Sequence, residues 1–193
     1  MTLSKSDIIF YGGPGSGKST QATNLVKKLK AQHLNMGALL RKLSVSKSAD
    51  GKIVKKIMAQ GKLVPTDITN NLAKKFISKV SRNKQVVFDG YPRDMTQMKF
   101  LDKLLNNAGR SVVMIYIKLP INVAKTRLLK RAKIENRADD RDPKALIGRI
   151  QVFNKQAKKI LASYKASGRL ITINGDQVVK SVELEINKAL SKC

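Results

Sequence analysis

The chain has one cysteine, Cys193, one histidine, His33, and no tryptophan. A single thiol excludes an intramolecular disulfide framework. One cysteine and one histidine also exclude a zinc cluster built from those ligands, so no zinc is expected and any metal must rest on oxygen donors. Five prolines and 12 glycines are too few for a collagen-like or linker-like chain. No apolar run approaches the roughly 18 residues of a membrane span. The stretch Met1 to Asp7 is too polar for a signal peptide. The expectation is a soluble, cytoplasmic protein with no membrane attachment. Acid is scarce as well: 13 Asp and Glu stand against 39 Lys and Arg, a formal net charge of +26. Such a field attracts polyanions and steers anionic ligands. The basic residues are spread along the whole chain, with no zinc finger, no aromatic and basic RNA-binding strand and no detached basic tail. This dispersal argues against dedicated nucleic-acid binding and leaves weak, non-specific nucleic-acid contact as the expectation.

What remains is a globular composition. The 193 residues are 42% hydrophobic and 27% charged, enough for one domain, 1–193, with a sizeable core. Asp7-Ile8-Ile9-Phe10-Tyr11 reads as a buried strand entering a glycine turn. From Lys18 to Lys30, Ala22, Leu25, Val26 and Leu29 fall at helical spacing. A brief strand is expected near 31–34, with short helices over 36–45 and 51–59. A helix follows Pro65, with Ile68, Leu72, Phe76, Ile77 and Val80 as its apolar stripe. Strands are expected at 85–88, 111–118 and 170–173, and helices at about 96–106, 122–133, 144–167 and 177–190. Nearly continuous apolar strands separated by helices imply an α/β fold with a five-stranded parallel sheet covered on both faces. The polar insertions at about 35–62 and 127–142 are expected to be mobile lobes over a site.

Gly12-Gly13-Pro14-Gly15-Ser16-Gly17-Lys18-Ser19 satisfies the phosphate-loop pattern GxxxxGK[ST]. It follows a strand and opens a helix, the context that the pattern requires. Its successive backbone N–H groups form an anion nest at a helix N-terminus. Lys18 is expected at the β/γ phosphates, and the Ser19 hydroxyl on Mg²⁺. Asp89 lies just past the carboxyl end of an apolar strand, the edge that holds ligands in a doubly wound sheet. A carboxylate there holds magnesium directly or through water. His33 reads as structural rather than catalytic.

At Asp89-Gly90-Tyr91-Pro92-Arg93, with Gln97 beyond, the sequence resembles the adenylate kinase family of nucleoside monophosphate kinases. The likeness runs from about Ile8 to Leu190. It includes the phosphate loop followed by Thr20-Gln21, Gly37-Ala38-Leu39-Leu40-Arg41, Gly61-Lys62-Leu63-Val64-Pro65, Arg127-Leu128-Leu129-Lys130-Arg131, Arg137-Ala138-Asp139-Asp140 and Arg149. The resemblance implies a phosphate-loop three-layer α/β/α fold, a monophosphate-binding lobe at 35–62 and a short lid at 127–137. It implies Mg²⁺-dependent phosphoryl transfer from ATP to AMP, giving two ADP, by a monomer without an obligate protein partner. ATP is then bound by Gly13 through Thr20, by Arg127 and by Gly175. Arg41 and Arg93 resemble the arginines that grip the monophosphate, and Gln97 the reader of the adenine edge. Val64 resembles part of the adenine pocket wall, with Gly90 close by. Arg137 and Arg149 resemble the pair that crowds the transferred phosphoryl. Arg131 resembles a lid residue, and Asp139 and Asp140 the acids that orient the lid arginines. Among relatives the Tyr91–Pro92 bond is cis, a state for which sequence alone gives a low prior.

The sequence departs from the family pattern at several points. Met36 stands where relatives usually carry Thr or Ser, and Ala38 replaces the usual Asp. Ser19 replaces a frequent Gly, and Glu135-Asn136 a common Ser-Gly. Arg149 falls one residue later than in relatives, counted from Asp140. One helical residue turns a side chain by about 100°. Two alternatives therefore stand beside the adenylate kinase reading. One is a kinase for another monophosphate, such as CMP, UMP or dAMP. The other is a nucleotide-dependent nucleic-acid-binding protein that has kept the fold.

Overall fold

The computed structural model describes residues 6–135 and 143–191, the side chains at 132–135 and 143–146 excepted. Arg137, Asp139 and Asp140 lie outside the described residues.

Five parallel strands form one sheet: β1 (Asp7–Tyr11), β2 (Gln32–Asn35), β3 (Val86–Asp89), β4 (Val112–Lys118) and β5 (Leu170–Asn174). Their spatial order is β2-β3-β1-β4-β5. Eight helices accompany them among the described residues: α1 (Lys18–Leu29), α2 (Met36–Ser44), α3 (Ala49–Ala59), α4 (Thr66–Ile77), α5 (Met95–Asn107), α6 (Ile121–Glu135), α7 (Pro143–Ala166) and α8 (Val179–Ser191). The expected three-layer α/β/α architecture is the observed one. Side chains alternate across a strand, and here both faces are apolar. Ile8, Phe10, Val87, Val113 and Ile115 pack with Ala22 and Leu25 of α1 and with Val182 and Ile186 of α8. Ile9, Tyr11, Phe88 and Met114 face the opposite layer, which contains Ile68 of α4, Leu101 of α5 and Ile160 of α7.

Chain order fixes where a ligand sits. After β1 the chain first builds β2 and β3 on one side of it, then β4 and β5 on the other. The connections diverge at the carboxyl end of β1, which opens a crevice there. Phe10 pairs with Asp89 on one side and Ile115 on the other, so the phosphate loop and the Asp89 turn leave the sheet side by side.

Local chemistry sets the helix starts. Asn35 Oδ1 accepts the Ala38 N–H at 2.9 Å, Ser48 Oγ the Gly51 N–H at 3.0 Å, and Asp94 Oδ1 the Gln97 N–H at 2.8 Å. Each satisfies an otherwise orphaned donor. The last helix starts at Val179, two residues after the expected 177. The turn uses those residues first, since Asn174 Oδ1 accepts the Asp176 N–H and Gln177 Nε2 donates to the Asn174 carbonyl. The strand expected near 31–34 is shifted by one, to Gln32–Asn35, where its last residue pairs with Asp89. At the other end of the sheet Arg110 donates to both Asp7 oxygens, at 2.7 and 2.8 Å, and to the Lys84 carbonyl at 2.6 Å. Asp7 also accepts the Val86 N–H, at 2.8 Å, so one buried ion pair ties β1, β3 and the start of β4 together. No described helix is long and apolar enough to cross a membrane.

Candidate active site

The phosphate loop leaves β1 at Tyr11 and opens α1. Gly17 occupies the helix N-cap at φ 85°, with no side-chain cap and no acidic residue in the first turn. The first amides of α1 are thus left for an outside anion, and the helix dipole favours one. Gly15, at φ 80°, lies so close to α6 that a Cβ would sit 2.9 Å from the Ala124 carbonyl. Ser16 is buried, and its Oγ lies where a Cβ on Gly12 would be 2.6 Å away. A larger residue at 12 would break this wrap.

Lys18 Nζ donates to the Gly13 carbonyl at 3.4 Å, closing the loop on itself. Burial pushes its pKa from 10.5 down to about 8; Asp89 opposes the shift, and Arg93, Arg149 and Arg131 add to it. Three arginines from three parts of the chain therefore act on one ammonium, with Asp89 the acid that offsets them. Such a cluster is electrostatically incomplete until a polyanion joins it.

The opposite wall begins at Asp89, which is 2% exposed. Gly90 (φ 77°) turns the chain, and the Tyr91–Pro92 bond is cis. Arg93 folds back so that its Nε donates to the Gly90 carbonyl at 2.9 Å. A Cβ on Gly90 would stand 3.3 Å from Arg93 Nη2, so the glycine clears the floor for the guanidinium. Gln97 Oε1 accepts the Arg93 N–H at 2.7 Å, which leaves the amide NH₂ as a donor and Oε1 with a second lone pair. Tyr91 Oη donates to Asn70 Oδ1 at 2.6 Å and pins the turn to α4.

These walls enclose a cleft of about 480 Å³. Of the sequence-derived residues, Pro14, Lys18, Ser19 and Thr20 line it from the phosphate loop. Met36, Arg41 and Val64 line it from the 35–62 side, and Asp89, Gly90, Arg93 and Gln97 from the β3 turn. Arg131 and Arg149 line it from α6 and α7. Gly13, Gly15, Ser16 and Gly17 of the same loop are not among the residues that line it. Arg127 points elsewhere: its guanidinium donates to the carbonyls of Gly175, at 3.0 Å, and Gln177, at 3.3 Å, and binds α6 to the turn after β5. Gly175 is held there by its own N–H to the Lys118 carbonyl, at 2.7 Å.

Tyr11 and Phe153 are among the cleft residues that escape the sequence reading. Their rings lie 5.4 Å apart, and the Phe153 ring also lies 3.3 Å from where a Gly13 Cβ would be. The available signal was positional: Tyr11 ends the strand that enters the loop, and Phe153 lies one helical turn beyond Arg149. His33 is half-buried in β2, and burial lowers its pKa despite Asp89.

Ser19 and Asp89 both face the cleft. No group of three or more His, Cys, Asp or Glu able to hold a metal occurs among the described residues. Magnesium bound with ATP does not require one, because it keeps water and takes phosphate oxygens together with one or two protein oxygens. The residues present fit that mode.

A family model described as adenylate kinase matches residues 10–169. The chain belongs to the adenylate kinase family. It is 36% identical over 193 residues to adenylate kinase 1 of Schistosoma mansoni, covering 98% of this chain and 95% of that protein. Adenylate kinase isoenzyme 1 of Sus scrofa is 34% identical over 182 residues, with 93% and 92% covered. The adenylate kinase of Bacteroides fragilis strain YCH46 is 32% identical over 185 residues, with 95% and 97% covered. Membership in the adenylate kinase family makes the chain a phosphotransferase enzyme that uses Mg-ATP.

Proposed function

We propose that this cleft performs the adenylate kinase reaction, ATP + AMP ⇌ 2 ADP, with the following division of labour. The backbone N–H groups of Gly13 and of Gly15 to Thr20, with the Lys18 ammonium, hold the β- and γ-phosphates, and Pro14, which has no N–H, shapes the loop. Arg93 and Arg41 hold the AMP phosphate, and Arg149 and Arg137 bear on the group in transit. Gln97 reads the adenine edge beside the apolar wall of Met36 and Val64, with Gly90 giving close approach. Ser19 directly, and Asp89 through water, would hold magnesium, which would supply positive charge to offset that of the phosphates. Arg127 with Gly175 forms the base of the ATP adenine site. Residues 35–62 form the monophosphate-binding lobe and 127–137 the lid, with Arg131, Asp139 and Asp140 closing it.

The chemistry follows from charge. Phosphoryl transfer spreads negative charge over equatorial oxygens, and positioning and neutralisation lower the barrier more than proton transfer does. Arginine supplies planar, permanently charged donors for those oxygens. Closure of the two lobes excludes water, which would otherwise accept the phosphoryl. The observation that carries this reading is the convergence of Arg93, Arg131 and Arg149 on the cleft that Lys18 and Asp89 also line.

The test is turnover of purified protein with Mg-ATP against AMP, CMP, UMP, GMP and dAMP. AMP-dependent ADP formation that is lost in Lys18→Ala supports the assignment. Equal turnover of CMP or UMP replaces it with a broader monophosphate kinase. Tight RNA binding without turnover of any acceptor replaces it with nucleic-acid binding. Weak, salt-sensitive polyanion adhesion is expected in every case from the net charge of +26.

A further inference from the structure

Four buried polar side-chain atoms among the described residues have no hydrogen-bond partner: Tyr11 Oη, Ser16 Oγ, Gln21 Oε1 and His33 Nε2. Of these residues Tyr11 alone lines the cleft. A buried hydroxyl without a partner forfeits its hydrogen bond to water and gains nothing in return. It therefore calls for an explanation.

Packing holds the phenol still. Tyr11 is 4% exposed, and its ring lies 5.4 Å from that of Phe153 and 6.3 Å from that of Tyr116. Burial drives its pKa far above the ordinary 10, against the pull of Arg93, so the hydroxyl stays protonated and can donate. Among the described residues it has no acceptor. Arg93, the charge that acts on it most strongly, carries only donors. Asp94, the acid that acts on it, makes no hydrogen bond to it: Oδ1 accepts the Gln97 N–H at 2.8 Å and Oδ2 the Thr66 hydroxyl at 3.4 Å. Tyr11 and Arg93 line the same cleft, so a ligand oxygen bound there would supply the acceptor that the hydroxyl lacks, and a nucleotide phosphate is such a group.

We propose that Tyr11 Oη donates a hydrogen bond to a phosphate oxygen of the bound monophosphate, beside Arg93. This rests on the reading of Arg93 as the arginine of the acceptor phosphate. Tyr11 is then a substrate-binding residue, and its cost in the empty protein is recovered when the acceptor binds.

The test removes one atom. In Tyr11→Phe the ring packing is kept, and AMP, adenosine and ATP are titrated calorimetrically against both proteins. The expected result is AMP affinity about tenfold weaker, the scale of a hydrogen bond to a charged acceptor. Adenosine, which lacks the phosphate, and ATP should stay within about twofold, because neither uses this bond. The ligand-free variant should melt no lower than the parent, since no protein hydrogen bond is lost. Unchanged AMP affinity overturns the proposal and leaves the hydroxyl to a solvent molecule. Equal losses for AMP and adenosine overturn it in favour of a purely structural role. A loss for ATP instead of AMP overturns the assignment to the acceptor. These are binding measurements, so they decide the matter even if the parent protein forms no ADP, a result that would sink the kinase reading alone.

Discussion

The backbone N–H of Arg93 donates to Oε1 of Gln97 at 2.7 Å, so the residue proposed to grip the phosphate and the residue proposed to read the base are held in one fixed relation. Asp94, between them, caps the helix that carries Gln97 by accepting the Gln97 N–H at 2.8 Å. In the proposed assignment, base recognition and phosphate recognition are thereby coupled across the five residues from Arg93 to Gln97.

Gln97→Ala removes both the base-reading amide and the partner of a backbone donor. Its kcat/KM for AMP should fall by about tenfold or more, and thermal stability should fall as well, because the part-buried Arg93 N–H loses its acceptor. Gln97→Glu keeps an acceptor for the Arg93 N–H but replaces the NH₂ donor. It should melt close to the parent while losing the preference for AMP over CMP and UMP. Steady-state kinetics on the three acceptors, together with thermal melts, separate the two effects.

Lys18 ties activity and stability to pH. Its folded pKa, about 8, lies below the ordinary 10.5, so between these values the unfolded chain binds more protons than the ligand-free folded one. Stability of the empty protein should therefore rise with pH from about 8 towards 10, and the rise should be absent in Lys18→Met. Bound phosphates favour the charged ammonium, so ATP binding near pH 9 should take up a proton, detectable by calorimetry in buffers of different ionisation heat. A stability profile that is the same in both proteins would contradict the assignment.

The Asp7–Arg110 pair lies at the end of the sheet remote from the cleft. Arg110→Ala strands a carboxylate whose side chain is 1% exposed. The expected loss is about 3 kcal/mol in urea unfolding, the usual scale for breaking a buried pair. Below the unfolding transition kcat/KM should stay close to that of the parent, since no cleft residue touches the pair.

Met36 is 2% exposed and lines the cleft at the start of α2. Met36→Thr restores the hydroxyl that relatives carry there and removes apolar volume. It should cost about 1–3 kcal/mol of stability. AMP should gain over CMP by a few-fold in kcat/KM, because a buried hydroxyl discriminates by the bonds it makes. Competition assays with mixed acceptors read the ratio directly.

Local pattern carried much of this molecule. Continuous apolar runs such as Val112–Ile117 can be buried only on both faces, which made a parallel, helix-covered sheet legible. Gly12–Ser19 needs no tertiary partner to announce itself, because a strand, a glycine turn and a helix start are contiguous features. The individual arginines were a different matter. In a chain with 39 Lys and Arg, composition cannot say which ones converge, and the family likeness rather than spacing singled out Arg41, Arg93 and Arg149. Only packing decided that Arg131 and Arg149 face Lys18 from separate helices, while Arg127 spends its guanidinium on the Gly175 and Gln177 carbonyls. Only packing, too, left Tyr11 Oη without a partner beneath Phe153. The reason is range: periodicity and turn chemistry act over a few residues, whereas the charge balance of the cleft joins groups from residue 18 to residue 149 and exists only once the sheet order has brought them together.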